Sequence, residues 1–501
     1  MSALLAAVTQ DSIDQTRQSI ASSDLAKAFT QASSAVSGIT NYSLERPAKF
    51  LVPVLTPLRN RIPRRMADGS IQANWRAFTG INTTAVELGL SDGNRGAVMS
   101  STTADYYASY KQLGLEDSVT HAAKLAAGGF MDLLAAAQTH LLWATMLGEE
   151  LLDLWGNTSN ALGKPATPTA ADITTGGAIN FNTAVSIIVV PLSLQGYVSG
   201  SVAGGIKRQV TRTNADGTTD TYGGGSGIPS TAKVVTTAND AGTAHSISAS
   251  TAAIAGTAAY AWFWGASGSE TLGAITTINS TVITTAAGTG TQLASSLGAS
   301  DYSTNGLVYD GVLTQVAKTG YGGYFAAMAT GTAGTGTPLT GDNKGAVVEI
   351  DTALQAFWDN YRLSPDTIWV SSQEAKNITQ KVLTAGTSGG QRFMINSNQG
   401  NITGGDLVTS YLNKFTLSGS KPLAVRLHPN LPPGTIFFDS EQIPYPMSEV
   451  DAPLVKRLRE DYRAEVWPQT KRKVEFSVSF DGVLQNYFPA AYGMITNIGN
   501  G

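Results

Sequence analysis

"PVLTPLRNRIPRR", residues 53–65, combines three prolines, four arginines and a scatter of branched apolar side chains. Together with Pro47, the prolines at 53, 57 and 63 recur too often for a helix interior and deny donors to a central strand, so residues 41–65 read as an extended arm. Phe50, Leu51, Val52, Val54, Leu55 and Leu58 have no packed element of their own here. A segment of this kind lays its apolar side chains on something else, and another subunit is the natural recipient. Arg59, Arg61, Arg64 and Arg65 form the one dense basic run. They fit either acidic groups on a partner chain or DNA phosphates, and the partner is favoured because a net charge of −4 supplies no wider basic field.

Working outward, "ANWRAFTGIN" (73–82) and "ADYYASYKQLG" (104–114) are aromatic-rich strand candidates flanking a loop that contains "LSDGNRG". They predict a two-stranded ribbon, which is marginal in water and needs a neighbour to rest on. Trp75, Phe78, Tyr106, Tyr107, Tyr110 and Lys111 are its candidate contact residues. From Asp117 or Ser118 the pattern turns helical, breaks at Gly128 and Gly129, and resumes from Phe130 to about Trp155, roughly 40 Å of helix. Its Leu, Met and Trp residues occupy more than one stripe, so it should be buried on several sides. Glu149, Glu150 and Asp153 sit on it as a carboxylate cluster, expected to be a solvated or salt-bridged face. Upstream, residues 1–35 offer Ser22, Ser23 or Asp24 as caps for short helices.

Between Gly156 and about residue 300 the chain is mostly Gly, Thr, Ser and Ala. Turn signals such as Asp216-Gly217, with short Thr/Val/Ile runs between them, predict an immunoglobulin-like sandwich rather than a linker. "YAWFWG" (260–265) would put Tyr260, Trp262 and Trp264 on one face of a strand and Phe263 on the other. Four large rings amid small residues are expected to form the core, in preference to a carbohydrate-binding platform. Beyond 300, "DTALQAFWDNYR", "TIWVSS", "SQEAKNITQKVL" and "KVEFSVSFDGVLQNY" alternate helical and strand periodicity, which indicates α+β packing.

Little chemistry is encoded. Absence of Cys removes disulfides, thiolate catalysis and Cys-bearing zinc sites, and the four His residues stand in no metal-ligand spacing. "GTSGG" (386–390) formally matches a nucleophile elbow at Ser388, but it follows a helix and only His428 lies downstream. No catalytic residue, metal or cofactor is expected. Neither an export signal nor a membrane span is expected, since "VSIIVVPLSL" is half the length a span requires.

The order of these parts resembles the major capsid protein of tailed bacteriophages, a fold shared with encapsulins and the herpesvirus capsid floor. The quoted arm, the ribbon, the long helix, the α+β middle and the closing "FSVSFDGVLQNYFPAAYGMI" carry the resemblance. It implies an α+β capsid fold with 1–65 as N-terminal helices and N-arm, 66–116 as E-loop, 117–195 as the P-domain spine helix and strand, 196–290 as the immunoglobulin-like insertion, 291–470 as A-domain, and 471–501 as a returning P-domain strand and C-terminal A-domain segment. It further implies self-assembly through hexamers and pentamers into an icosahedral shell enclosing double-stranded DNA without sequence-specific binding, and without a membrane. A separate scaffolding protein, a portal and a decoration protein are the expected partners, with assembly in the host bacterial cytoplasm and residence in the virion capsid. Some members cross-link Lys to Asn; Lys111 is the only lysine in the E-loop range, and no Asn is assigned to it. An encapsulin-like compartment for cargo enzymes and a Thr-rich surface adhesin are the alternatives.

Overall fold

The computed structural model describes residues 50–67, 69–81, 89–96, 98–128, 131–214, 216–383, 408–445 and 448–500. The expected N-terminal helices capped at Ser22–Asp24, and Ser388 with its GTSGG motif, lie outside them. The described chain begins with α1 (Pro57–Arg61), β1 (Arg64–Met66), β2 (Gln72–Ile81), β3 (Ser101–Ser109), β4 (Lys111–Thr120), α2 (His121–Ala126) and α3 (Leu133–Trp155). Two expectations are corrected here. Residues 57–61 are helical, because a proline at the first helical position sacrifices only an N–H that has no intrahelical partner. Residues 117–120 complete a strand instead of opening a helix: Leu113, Leu115 and Val119 keep the period of two. The Thr120 hydroxyl then accepts from Ala123 N to start α2, and the Asp132 carboxylate accepts from Leu134 N and Ala135 N to start α3.

The middle of the chain contributes β5 (Thr169–Ile173), β6 (Ala184–Leu192), α4 (Leu194–Ser199), β7 (Val210–Thr213), β8 (Thr219–Tyr222), β9 (Lys233–Thr236), β10 (Ser246–Ser250), β11 (Ala259–Gly265), β12 (Thr271–Thr276) and β13 (Ser280–Ile283). Seven of these strands form two sheets, ordered β13-β10-β5 and β12-β11-β6-β9. Tyr260, Trp262 and Trp264 are buried in one core with Val185, Ile187, Val189 and Ile247. Phe263 is buried in another core, with Val190 and Leu192. Strand β6 therefore has apolar side chains committed on both faces and pairs with β11 from Ser186 to Leu192. Strands β5 and β6, which precede residue 196, thus share these two sheets with β9 to β13, and the strands of this seven-stranded unit run from Thr169 to Ile283.

The remaining elements are α5 (Val312–Ala317), β14 (Tyr324–Ala327), α6 (Val348–Tyr361), β15 (Thr367–Val370), α7 (Ser372–Leu383), β16 (Ser410–Asn413), β17 (Lys421–Leu427), β18 (Ile436–Asp439), β19 (Leu454–Val466), β20 (Lys473–Asn486) and β21 (Gly493–Thr496). A six-stranded mixed sheet, β14-β21-β18-β15-β17-β16, is packed by α6 through Ile350, Ala353, Leu354 and Phe357, the one-face spacing of an amphipathic helix. A second sheet, β1-β19-β20-β4, lies against α3. There Phe476 and Val478, two residues apart on β20, meet Leu141 of the helix and Val119 of β4.

Candidate interaction surface

Each arginine of the basic run has an acidic partner within the chain. Arg59 Nε lies 2.9 Å from Glu149 Oε2, and Arg64 bridges Glu149 Oε1 at 2.7 Å and Asp461 at 2.6 Å. Arg61 pairs with the buried Asp439, and Arg65 pairs at the surface with Asp451. Beneath them the Glu150 carboxylate accepts from Leu58 N (3.0 Å) and Arg59 N (2.6 Å), satisfying donors at the start of α1. Leu58 is itself fully buried in the main core. The segment expected to drape over another subunit is thus bolted to its own from residue 56 to 66. Upstream of that point Val54 is half-buried while Leu51 and Leu55 face outward, and the Phe50 ring leans on Trp143 at 4.5 Å.

The carboxylates are salt-bridged but not solvated. Glu149, Glu150 and Asp153 are all buried, and Lys456 Nζ reaches into them, 2.5 Å from Asp153 and 3.3 Å from Glu149. Burial works against the Glu149 charge, yet Lys456, Arg64 and Arg59 together with the Tyr462 hydroxyl hold it down to about 2. Burial pushes Asp153 up to about 6 against the pull of Lys456. The helix pattern held a signal for this. Leu, Met and Trp on several stripes of α3 leave no solvated face for three carboxylates, so buried cations had to come from elsewhere. Nothing in the sequence around Lys456, Tyr462 or His428 marks them as those partners.

The ribbon formed by β2 and β3 behaves differently along its length. Its base is seated: Trp75 stacks on Tyr106 at 5.8 Å and meets the edge of Tyr487 at 5.9 Å. Tyr110 is buried beneath the Arg459 guanidinium, and Lys111 Nζ donates to Gly306 O. Past Trp75 the strands continue paired to Ile81 and Ser101, about 33 Å in all for ten residues, without joining another sheet. Phe78 is 77% exposed, Ile81 69% and Val98 92%, with Leu90, Met99 and Tyr107 also exposed. Arg76 and Asp105 face each other across the strands as an exposed ion pair. The ribbon residues expected to make contacts thus divide into seated ones (Trp75, Tyr110, Lys111) and outward ones (Phe78, Tyr106, Tyr107).

Likenesses to solved structures reach along almost the whole chain. It is similar to the capsid of Myoviridae phage XM1 at 9% identity, over 92% of this chain and 97% of that one, with a TM-score of 0.41. It is similar to the capsid of the empty GTA particle at 8% identity, over 94% and 100%, with a TM-score of 0.42. Mycobacterium phage Bobi gives 8% identity over 95% and 98%, with a TM-score of 0.38. No family model matches the chain, and no curated protein matches its sequence.

Chemically, the arrangement holds and presents surfaces. Among the described residues no group of His, Asp and Glu is placed to hold a metal ion, and no helix is long and apolar enough to cross a membrane. His428, the one histidine downstream of Ser388, has both ring nitrogens engaged, by Glu150 and by Asn430 N.

Proposed function

We propose that this chain is the structural subunit of a tailed-phage-type capsid, assembling through hexamers and pentamers into an icosahedral shell around double-stranded DNA. The observation that carries the reading is the ribbon: an isolated two-stranded sheet with Phe78 and Ile81 bare to solvent, as is Val98 in the segment leading into β3. Such a ribbon is marginal by itself and becomes stable when a second surface covers it. Supplied by identical copies in head-to-tail fashion, that cover generates closed rings, and rings on a closed lattice generate a shell. The arm refines this picture. Residues 56–66 stabilise the subunit, so the contacts between subunits fall to the ribbon and to the outward side chains of residues 50–55.

A net charge of −4 fits an enclosed genome held without base-specific contacts. The seven-stranded unit is assigned as an immunoglobulin-like insertion projecting from the shell, and a scaffolding protein, a portal and a decoration protein are the remaining partners of the scheme. Negative-stain microscopy of the expressed protein tests the proposal. Hollow particles of uniform size containing nuclease-protected DNA are the expected result. Particles filled with cargo enzymes would make it an encapsulin-like compartment, and a protein that stays monomeric by light scattering with every candidate scaffolding protein would overturn the shell altogether.

A further inference from the structure

We infer that His245 is an alkaline-released staple in the seven-stranded unit, a buried imidazolium that ties β5 to the connection between β9 and β10. The inference is independent of whether the chain forms shells. Its ring is fully buried with a carboxylate oxygen at each nitrogen: Asp172 Oδ1 lies 2.9 Å from Nδ1, and Asp240 Oδ1 lies 2.7 Å from Nε2. A neutral imidazole has one donor and one acceptor, so one of these contacts would set a lone pair against a carboxylate. Both become hydrogen bonds only when the ring carries two protons, and charge assistance then strengthens both.

Each carboxylate belongs to a different segment. Asp172 is on β5 and its second oxygen accepts from Ala238 N at 2.9 Å, just after β9. Asp240 lies on the loop leading to β10. His245, preceding β10, exchanges two backbone hydrogen bonds with Ile179. One ring therefore holds three stretches that meet at the edge of the β13-β10-β5 sheet. No other charge stands in for it: β10, β13 and residues 174–183 carry no titratable side chain, β5 carries only Asp172, and Lys233 is exposed at the far end of β9 from Asp240. Burial opposes the imidazolium, but the bonds to Asp240 and Asp172 raise His245 above its ordinary value. The linkage then has a fixed sign. The staple is fully present below the ordinary histidine range and is lost as pH rises through the raised value.

The chain has only four histidines, at 121, 140, 245 and 428, so ring-nitrogen NMR of the full protein labelled with 15N-histidine resolves the question, with His245→Gln identifying the signal. His245 is expected to keep both nitrogens protonated at pH values where an ordinary histidine is neutral. Hydrogen exchange at Ala238 N and Ile179 N should accelerate beyond the intrinsic base-catalysed rate as the ring deprotonates, and His245→Gln should remove that extra acceleration. Asp240→Asn, at a partly exposed position, should weaken proton binding at His245 by about tenfold. A ring that titrates at or below the ordinary histidine value overturns the staple, as does exchange whose pH dependence is the same in His245→Gln. Should His245→Gln not fold, an unchanged His245 titration in Asp240→Asn overturns it equally.

Discussion

Glu150 Oε1 accepts a hydrogen bond from His428 Nε2 at 2.7 Å, with neither side chain exposed to solvent. The same oxygen accepts from Leu58 N, and Asn430 N donates to His428 Nδ1, which leaves the Nε2 tautomer as the donor. A single carboxylate thus joins the start of α1, the long helix α3 and the turn after β17. Glu150→Ala strands the buried Leu58 amide and His428 ring and the part-buried Arg59 amide, and should cost about 3 kcal/mol, because buried donors left unpaired lose their full solvation. Glu150→Gln keeps one acceptor oxygen and should cost less. Urea unfolding followed by tryptophan fluorescence, on protein held disassembled, ranks the two.

Glu149 contributes stability that acid removes. Its folded value of about 2 lies below that of an unfolded glutamate, so its contribution is complete above the ordinary carboxylate range and is lost as pH falls toward 2. Glu149→Gln should flatten the stability-versus-pH curve between about pH 2 and 4.5. It should also release Arg59 and Arg64, so its stability at neutral pH drops as well. A variant that keeps the wild-type acid limb would show that another group carries it.

How much of this was legible in advance depends on whether the determining contact is local. The amphipathic spacing of α6, the period-two pattern of β20 and the aromatic strand β11 are written into consecutive residues, and each appears where its pattern places it. Interactions across hundreds of residues were not legible. Arg61 finds Asp439, Lys456 finds Asp153 and His428 finds Glu150, and no spacing rule links such pairs. Prolines misled at α1 because the same residue that ends a helix can also begin one. The place of β6 was not legible either, because it is as apolar as a strand packed under a helix, and only its pairing with β11 puts it in the same sheet as the aromatic strand. Of the surface, the ribbon was readable from its aromatic-rich strands, whereas the internal pairing of the arginine run was not.

Arg61 gives that last contrast an experimental form. Its guanidinium meets the fully buried Asp439, whose other oxygen accepts from Trp369 Nε1 at 2.9 Å. Arg61→Met leaves that carboxylate buried without its cation and should cost about 3–5 kcal/mol, as removal of one partner of a buried pair does. Arg65→Met, at an exposed pair, should cost under about 1 kcal/mol. Chemical unfolding of both variants separates a subunit-stabilising arm from an interface arm. Equal small effects, accompanied by loss of particles, would return the arginines to the interface.

Phe78, Ile81 and Val98 invert the pattern of Arg61: they contribute almost nothing to the isolated subunit. Serine at any of them removes apolar area already in water, so the midpoint of thermal unfolding should stay put, within about 0.5 kcal/mol of wild type. Their weight is felt only when a second copy covers the ribbon. Each buried large side chain is worth roughly 1.5–3 kcal/mol, so a Phe78→Ser, Ile81→Ser double variant should raise the concentration needed for assembly by a hundredfold or more, at ~1.4 kcal/mol per tenfold. Sedimentation of the variant across a concentration series, beside its melting curve, reads both quantities. Intact melting with lost particles places the ribbon at the contact between subunits. Wild-type assembly by the double variant would remove the ribbon from that contact, and with it the observation on which the shell rests.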